Sequence, residues 1–179
     1  MAGTYKMKIA GLERELPLCP INEKLDIAAF VMFSDVEITV ASAAELLKKC
    51  PDFDVILTAE SKGIPLGYEM ARQSGKPYIV ARKSVKLYMG DPIAVAVKSI
   101  TTESEQTLYL SAEKAEMIRG KCVLIVDDVI STGESLNALE KLVEAAKGET
   151  SAKAAVLAEG DAADRTDIIF LEKLPLFFK

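Results

Sequence analysis

The sequence predicts an α/β fold of three layers, in which a mainly parallel, twisted sheet lies between helices. Short apolar segments bounded by turn residues alternate with longer segments of helical periodicity, and this alternation is typical of parallel strands joined by helices. The chain has 179 residues, of which 50% are hydrophobic, which is enough to fill the core of one domain. No repeat or linker interrupts the pattern, so we predict a single domain over residues 1–179.

Residues 1–35 contain Pro17 and Pro20 and show no clean hydrophobic period. We therefore predict an irregular cap, or hood, over this segment and the α/β core over residues 36–179. The first half of the core is predicted from helical spacing of apolar residues and from Gly75, which suits the end of a helix. It should contain helices at residues 39–50 and 64–74, and strands at residues 54–58 and 77–81.

Residues 84–111 predict a β-hairpin. Two strand-like segments, at residues 93–97 and 107–110, enclose a polar stretch rich in hydroxyl side chains. We expect the tip of this hairpin to be solvated and mobile. The rest of the core should contain strands at residues 122–126, 154–158 and 168–171, and an amphipathic helix at residues 134–147.

Composition excludes several classes of function. The formal net charge is −5 and histidine is absent. Because binding to nucleic acid draws on a basic surface, we expect no nucleic-acid partner. The absence of histidine excludes histidine-based triads and histidine-ligated metal sites. Catalysis would have to rely on carboxylates, Lys, Arg, Tyr, backbone donors or a hard cation bound by oxygen atoms.

The sequence also predicts a cytoplasmic protein without membrane contact. The longest apolar run, residues 27–33, is too short to cross a bilayer, and the chain does not open with a signal-peptide pattern. Three scattered cysteines, Cys19, Cys50 and Cys122, are expected to be reduced thiols. We expect Cys122, which begins a buried strand, to pack in the core.

The most informative segment is residues 122–135, where a buried strand leads into two carboxylates, Asp127 and Asp128, and then into a Ser-Thr-Gly turn and a helix. Open α/β sheets bind ligands at the carboxyl ends of their strands. The turn would direct backbone N–H groups and the positive end of a helix dipole at an anion. The segment thus combines carboxylates that can accept hydrogen bonds from sugar hydroxyls with backbone N–H groups that can bind a phosphate. This combination predicts a site for a phosphorylated sugar.

Simpler interpretations exist for the same residues. A charged pair can follow a strand because the chain has reached water, and Ser131 or Thr132 can act as an N-cap. Phosphorylation-receiver domains also place acidic residues after such a strand, but near the start of the domain. Asp128 lies late in this chain of 179 residues, so we exclude a receiver domain.

Residues 123–135 resemble the signature with which type I phosphoribosyltransferases bind 5-phosphoribosyl-1-diphosphate. Residues 60–65 resemble the diphosphate-binding loop of that family, in which a non-proline cis peptide is often found. Residues 81–87 resemble the Arg-Lys-x-x-Lys element of the purine branch, near the adenine and xanthine phosphoribosyltransferases, and residues 11–17 fit that branch more loosely. The matching segments follow the order of the family, from about residue 11 to about residue 160.

The resemblance implies an enzyme of purine salvage that transfers the phosphoribosyl group to a purine base, adenine in the first place, and works as a homodimer with Mg²⁺ bound to the sugar diphosphate. Asp127 and Asp128 would accept hydrogen bonds from the ribose hydroxyls. The 5-phosphate would be held by the residues around the turn, namely Val129, Ile130, Ser131, Thr132, Gly133, Glu134 and Ser135. The diphosphate would be bound by Ser61, Lys62, Gly63, Arg82, Lys83 and Lys86.

The resemblance also implies where catalysis and base binding occur. The hairpin would close over the site and exclude water. Glu103 or Glu105 on this hairpin would stabilise the sugar cation or take a proton from the purine, and Lys86 would meet the leaving group. The base would lie under the hood, with four candidate contacts: Leu25, Ile27, Phe30 and Glu159.

Three features depart from the family pattern. Glu134 stands where the family often has a second glycine, and a carboxylate facing the phosphate would repel it. Lys62 replaces an arginine that many adenine enzymes carry. Residues 99–102 resemble the purine-repressor relatives more than adenine enzymes. A non-catalytic regulator that binds phosphoribosyl diphosphate therefore stays open as an alternative, as does an orotate phosphoribosyltransferase.

Overall fold

The computed structural model describes residues 3–98 and 105–179. Its helices are α1 (Val36–Leu47), α2 (Ile64–Ser74), α3 (Ala112–Ile118) and α4 (Glu134–Ala145). Its strands are β1 (Thr4–Ile9), β2 (Leu12–Asn22), β3 (Leu25–Ala28), β4 (Val55–Ala59), β5 (Tyr78–Ala81), β6 (Ile93–Lys98), β7 (Glu105–Leu110), β8 (Cys122–Ile130), β9 (Glu149–Glu159), β10 (Ile169–Leu174) and β11 (Leu176–Phe178).

The central sheet has five parallel strands in the order β10-β9-β8-β4-β5. Alternate side chains of its strands enter two cores, because successive residues of a strand face opposite sides of the sheet. Leu57 and Ile125 pack with α3 and α4 on one side, and Ile56 and Leu124 pack with α1 and α2 on the other. The predicted three-layer α/β fold with a parallel sheet is confirmed.

The strand order reverses between β4 and β8. From β4 the chain moves outwards to β5, and after the hairpin it returns to β8 and moves the other way to β9 and β10. Pairing between β4 and β8 ends at Leu57 and Ile125, whereas β8 stays paired with β9 as far as Ile130. A crevice therefore opens between β4 and β8, at the topological switch point where such sheets bind ligands.

The prediction of an irregular segment over residues 1–35 is wrong. β1, β2 and β3 form an antiparallel sheet, and β1 alternates exposed and inward residues along its length. Ala10 and Gly11 both have positive φ, 49° and 85°, as a tight hairpin turn requires. Pro17 and Pro20 are accommodated at exposed positions of β2. Whether residues 1–35 form a hood over a single domain stays a prediction.

The last strand was not predicted. β11 pairs with β3, with Leu176 opposite Ile27, and so adds the end of the chain to the N-terminal sheet. α3 was also missed; Ser111 caps it by accepting a hydrogen bond from the N–H of Lys114 at 3.3 Å.

The predicted hairpin is confirmed by antiparallel pairing of β6 with β7, and its predicted mobile tip lies outside the described residues. Cys122 is exposed at the start of β8, so the expectation that it packs in the core is wrong. Among the described residues, no helix is long and apolar enough to cross a membrane.

Candidate functional site

Asp127 and Asp128 lie on β8, just beyond the point at which its pairing with β4 ends. The strand continues to Ile130, so the pair lies within β8 and not after it. Asp127 is half-buried, and Asp128 is only 5% exposed. The backbone N–H of Asp128 donates to Oδ1 of Asp127 at 2.9 Å. Both carboxylates therefore lie at the crevice, held close to the strand backbone.

Burial disfavours the ionised form of both carboxyl groups. It raises the pKa of Asp127, and the neighbouring carboxylate of Asp128 raises it further. Burial also raises the pKa of Asp128. The charge of Lys83 lowers the pKa of Asp127, and the charge of Lys62 lowers the pKa of Asp128. The Oδ2 atom of Asp128 is buried and has no hydrogen-bond partner among the described residues, so it is available to accept one from a ligand hydroxyl.

The turn after β8 forms a small cavity with the first residues of α4. Gly133 has a φ of 80° and, in the described part of the chain, makes no side-chain hydrogen bond that would cap α4. The N–H of Glu134 donates to Oγ1 of Thr132 at 3.5 Å, the limit of a hydrogen bond, and a helix N-terminus of this kind suits an anion. The cavity measures about 50 Å³ and unites Asp127 with the whole predicted phosphate segment: Val129, Ile130, Ser131, Thr132, Gly133, Glu134 and Ser135.

The loop after β4 lies directly against Asp127. A Cβ atom added to Gly63 would lie 3.0 Å from Oδ1 of Asp127 and would collide with Oγ1 of Thr58. Glycine is therefore needed at this position, and it brings the exposed residues Ser61 and Lys62 beside the acid pair. The Glu60–Ser61 peptide bond is cis, as the resemblance implied.

Glu60 ties this loop to the basic segment after β5. The N–H of Lys83 donates to Oε2 of Glu60 at 2.9 Å, and Nη2 of Arg82 lies 3.3 Å from Oε1. The Lys83 hydrogen bond lowers the pKa of Glu60, and the charges of Arg82, Lys86 and Lys83 lower it further. Lys86 donates to Oγ of Ser84 at 2.6 Å. The structure thus places the predicted diphosphate residues in two connected segments at the same end of the sheet.

The hairpin is attached to the site through Arg82. Its N–H donates to the carbonyl oxygen of Tyr109 at 2.9 Å, and the N–H of Tyr109 donates back to the carbonyl of Arg82 at 2.8 Å. The two candidate hairpin acids cannot be placed. Glu103 lies outside the described residues, and of Glu105 only the backbone, at the start of β7, lies within them.

The four candidate base contacts are dispersed. Phe30 is 5% exposed and belongs to the apolar core. Leu25 and Ile27 are half-buried in β3, opposite β11. Glu159 ends β9; burial raises its pKa, and the charge of Lys62 lowers it. Of the four, Glu159 is the one that the structure brings near the diphosphate loop.

Three residues of this region were given no individual role from the sequence. Thr58 is fully buried beneath Gly63, and Glu60 organises the basic segment. Arg165, which follows the 3₁₀ helix Gly160–Asp164, lies against Gly133. The spacing of two residues between Arg165 and Asp167 is a sequence signal for their ion pair. The contact between Arg165 and the turn has no such signal, because the two are brought together only by the fold.

Comparison with known proteins agrees with this geometry. The model of the phosphoribosyl transferase domain matches residues 35–172. The hypoxanthine/guanine phosphoribosyltransferase of Methanocella arvoryzae is 32% identical over 142 residues, which are 79% of this chain and 68% of that protein. The adenine phosphoribosyltransferase of Thermotoga neapolitana is 38% identical over 104 residues, 58% of each chain. The purine biosynthesis transcriptional repressor of Bacillus subtilis is 32% identical over 93 residues, which are 52% of this chain and 32% of the repressor.

The three-dimensional structure is also similar to a solved phosphoribosyltransferase structure. The crystal structure of adenine phosphoribosyltransferase from Thermoanaerobacter pseudethanolicus superposes with a TM-score of 0.68 and 22% identity, over 95% of each chain. At this level of identity the likeness concerns the fold.

Proposed function

The chain belongs to the phosphoribosyl transferase family, and from this premise we propose that it transfers the phosphoribosyl group of 5-phosphoribosyl-1-diphosphate to a purine base. The family membership confirms the resemblance of residues 123–135, 60–65 and 81–87 to a purine-branch phosphoribosyltransferase. The observation that carries the proposal is the crevice between β4 and β8, which unites an acid pair, an anion-binding turn and a basic segment.

In the proposed reaction, the bond between the anomeric carbon and the diphosphate oxygen breaks and a bond to a purine nitrogen forms. Diphosphate leaves with the bonding electrons, and the N–H proton of the base passes to solvent water. The sugar passes through a cationic state, so the site must hold the reactants in position and stabilise the charge that develops on the leaving group.

The residues of the crevice suit these tasks. Asp127 and Asp128 would accept hydrogen bonds from the ribose hydroxyls, and the turn at residues 131–133 would hold the 5-phosphate. Lys62, with the backbone of its loop, would meet the diphosphate from one side, and Arg82 from the other. The Nε–H of Arg82 is buried without a hydrogen-bond partner among the described residues, so the guanidinium retains a donor for an anion.

The residues present also fit a magnesium ion that arrives with the diphosphate. Within the described part of the chain, no three or more His, Cys, Asp or Glu residues lie together in an arrangement that could hold a metal ion. Mg²⁺ commonly takes one or two carboxylates and completes its shell with phosphate oxygens and water. Asp127 and Asp128 are the carboxylates that would hold it, directly or through water, and its charge would help to neutralise the diphosphate.

We propose adenine as the preferred base. The adenine enzyme of Thermotoga neapolitana has the higher identity of the two enzymes compared, whereas the hypoxanthine/guanine enzyme matches a longer part of this chain. The test is nucleotide formation from phosphoribosyl diphosphate and Mg²⁺ with adenine, hypoxanthine, guanine and xanthine in parallel, and with orotate as the pyrimidine alternative. Turnover with a 6-oxopurine alone would overturn the adenine assignment.

A non-catalytic regulator is the second candidate, and the similarity to a transcriptional repressor favours it. The same assay separates the two functions. Tight binding of phosphoribosyl diphosphate without turnover of any base would support the regulator and exclude the enzyme.

We further propose that the protein works as a homodimer in the cytoplasm. Several apolar side chains border one cavity of about 240 Å³ on the surface, and the exposed fractions of the three most exposed are 47% for Phe33, 74% for Val36 and 54% for Tyr68. An exposed apolar patch of this kind suits a subunit interface. The proposed location rests on the three free cysteines, which suit a reducing compartment.

A further inference from the structure

We propose that Arg165 is a phosphate-binding residue of the turn after β8. The inference rests on the proposed function, because it takes the turn as the site of the 5-phosphate. It concerns a residue that lies 32 positions after Gly133 in the sequence and outside every motif considered above.

The guanidinium of Arg165 lies against the turn itself. A Cβ atom added to Gly133 would collide with Nη1 of Arg165 and would lie 3.7 Å from its Cζ. Gly133 is buried and has a φ of 80°. The space that a side chain would occupy at this position is therefore filled by a cation, at the residue that directly precedes α4.

Asp167 orients this cation. The Nε–H of Arg165 donates to Oδ1 of Asp167 at 2.9 Å, and Nη2 donates to Oδ2 at 2.7 Å. These bonds hold one edge of the planar fork, which leaves Nη1 on the side of the turn. Nη1 makes no hydrogen bond to any described residue, so its N–H groups remain available for an anion.

A second pair of charges anchors Asp167. Lys153 on β9 donates to Oδ2 of Asp167 at 2.7 Å and lies 3.1 Å from Oε1 of Glu140 on α4. Hydrogen bonds from Arg165 and Lys153 hold the pKa of Asp167 far below its usual range. The two cations, Arg165 and Lys153, balance the two carboxylates, Asp167 and Glu140, so the network adds no net charge to the protein. Its positive end at the turn is Nη1 of Arg165. Preorganisation of this kind lowers the cost of ordering an arginine when a ligand binds.

The turn that Arg165 approaches also forms a small cavity. Thr132, Glu134 and Ser135 line this cavity. Arg165 brings a cation against the turn at Gly133, where its guanidinium would attract a bound phosphate. The side chain of Arg165 is 28% exposed, so solvent screens this interaction in part and its contribution to affinity should be moderate.

The test measures the affinity of the full-length protein for two probes, ribose 5-phosphate and Mg²⁺-diphosphate, by calorimetry. R165A should weaken the binding of ribose 5-phosphate by about tenfold or more, as expected for the loss of a charged hydrogen bond, and should leave the affinity for diphosphate unchanged. R119A is the matched control, because Arg119 forms an exposed ion pair with Glu116 on α3. It should change neither affinity.

The other outcomes are equally informative. Unchanged binding of ribose 5-phosphate to R165A, or a loss confined to diphosphate, would overturn the assignment while leaving the proposed function in place. A wild-type protein that does not bind ribose 5-phosphate would overturn both. Unfolding midpoints show whether R165A is folded. If it is not, R165K carries the same test, because it keeps the charge near Asp167 but loses the second nitrogen of the fork, and it should bind ribose 5-phosphate less tightly than the wild type.

Discussion

Gly63 lies so close to Asp127 that it leaves no room for a side chain: a Cβ added at Gly63 would lie 3.0 Å from Oδ1 and 3.3 Å from Cα of this aspartate. The loop after β4 and the acid pair on β8 thus share one contact, across the point where the strand order reverses. Two segments of the proposed ligand site that are far apart in sequence thus approach so closely that a residue larger than glycine would clash at position 63.

The first prediction is that Gly63→Ala disrupts the site. The added methyl group would collide with Thr58 and crowd Asp127, which should cost about 1–3 kcal/mol of stability and abolish detectable turnover. Gly67→Ala is the control, since its Cβ would lie 3.2 Å from Cγ2 of the same Thr58 and does not reach Asp127. Urea unfolding and the transferase assay measure both effects. Full activity in G63A would show that this contact is not needed.

The second prediction concerns the acid pair. Asp127→Asn and Asp128→Asn should each weaken the binding of phosphoribosyl diphosphate by about 1–3 kcal/mol, the range for losing a charged acceptor. Calorimetry with the Mg²⁺ complex measures the loss. Asp161→Asn is the control, because Asp161 is exposed at the 3₁₀ helix that follows β9. Wild-type affinity in both acid-pair variants would refute the assigned role in ribose binding.

How far the sequence predicts this site depends on how local its parts are. Residues 122–135 form one continuous segment, and its strand, turn and helix follow from apolar periodicity and turn chemistry. The prediction of the parallel sheet succeeded because residues 55–57 of β4 and 123–126 of β8 are buried on both faces and are therefore continuously apolar.

The parts that escaped prediction depend on long-range contacts. β11 has three residues, too few for a period, and is a strand because β3 pairs with it. Tyr5, Met7 and Ile9 alternate with exposed residues in β1, but two prolines in β2 weaken the strand pattern of the segment as a whole. Arg165 reaches Gly133 only when β9 lies beside β8.

The third prediction is a dependence of stability on pH. Because burial raises the pKa of Asp127 in the folded state above its unfolded value, the folded protein binds more protons than the unfolded chain in the interval between the two values. The contribution of this group is therefore unfavourable at high pH. The stability of the wild type relative to Asp127→Asn should fall as the pH rises above about 4, the ordinary pKa of the carboxyl group.

Urea unfolding of both proteins at several pH values between 5 and 8 gives this difference directly. Comparing the two proteins removes the contributions of other groups, such as Asp35 and Glu60, whose pKa values are lowered in the folded state. A difference that is constant with pH would contradict the assigned shift.

The fourth prediction separates the two ends of the substrate. Arg82→Ala should weaken the binding of Mg²⁺-diphosphate by about 1.5–3 kcal/mol and leave the affinity for ribose 5-phosphate unchanged, the reverse of the pattern expected for R165A. Arg72→Ala is a matched control, because Arg72 pairs with Glu69 on α2. Its affinity for both probes should equal that of the wild type. A loss of ribose 5-phosphate binding in R82A would contradict the assignment of Arg82 to the diphosphate.

The last prediction tests the proposed dimer. Val36→Glu should convert a dimer into a monomer, because it places a charge in the exposed apolar patch formed by Phe33, Val36 and Tyr68. The change should not unfold the subunit, since Val36 begins α1 and an acidic side chain is favourable in the first turn of a helix. Light scattering after size-exclusion chromatography measures the mass. Ile21→Glu, at an exposed position of β2, is the control and should remain dimeric; dissociation of this variant alone would place the interface on the N-terminal sheet.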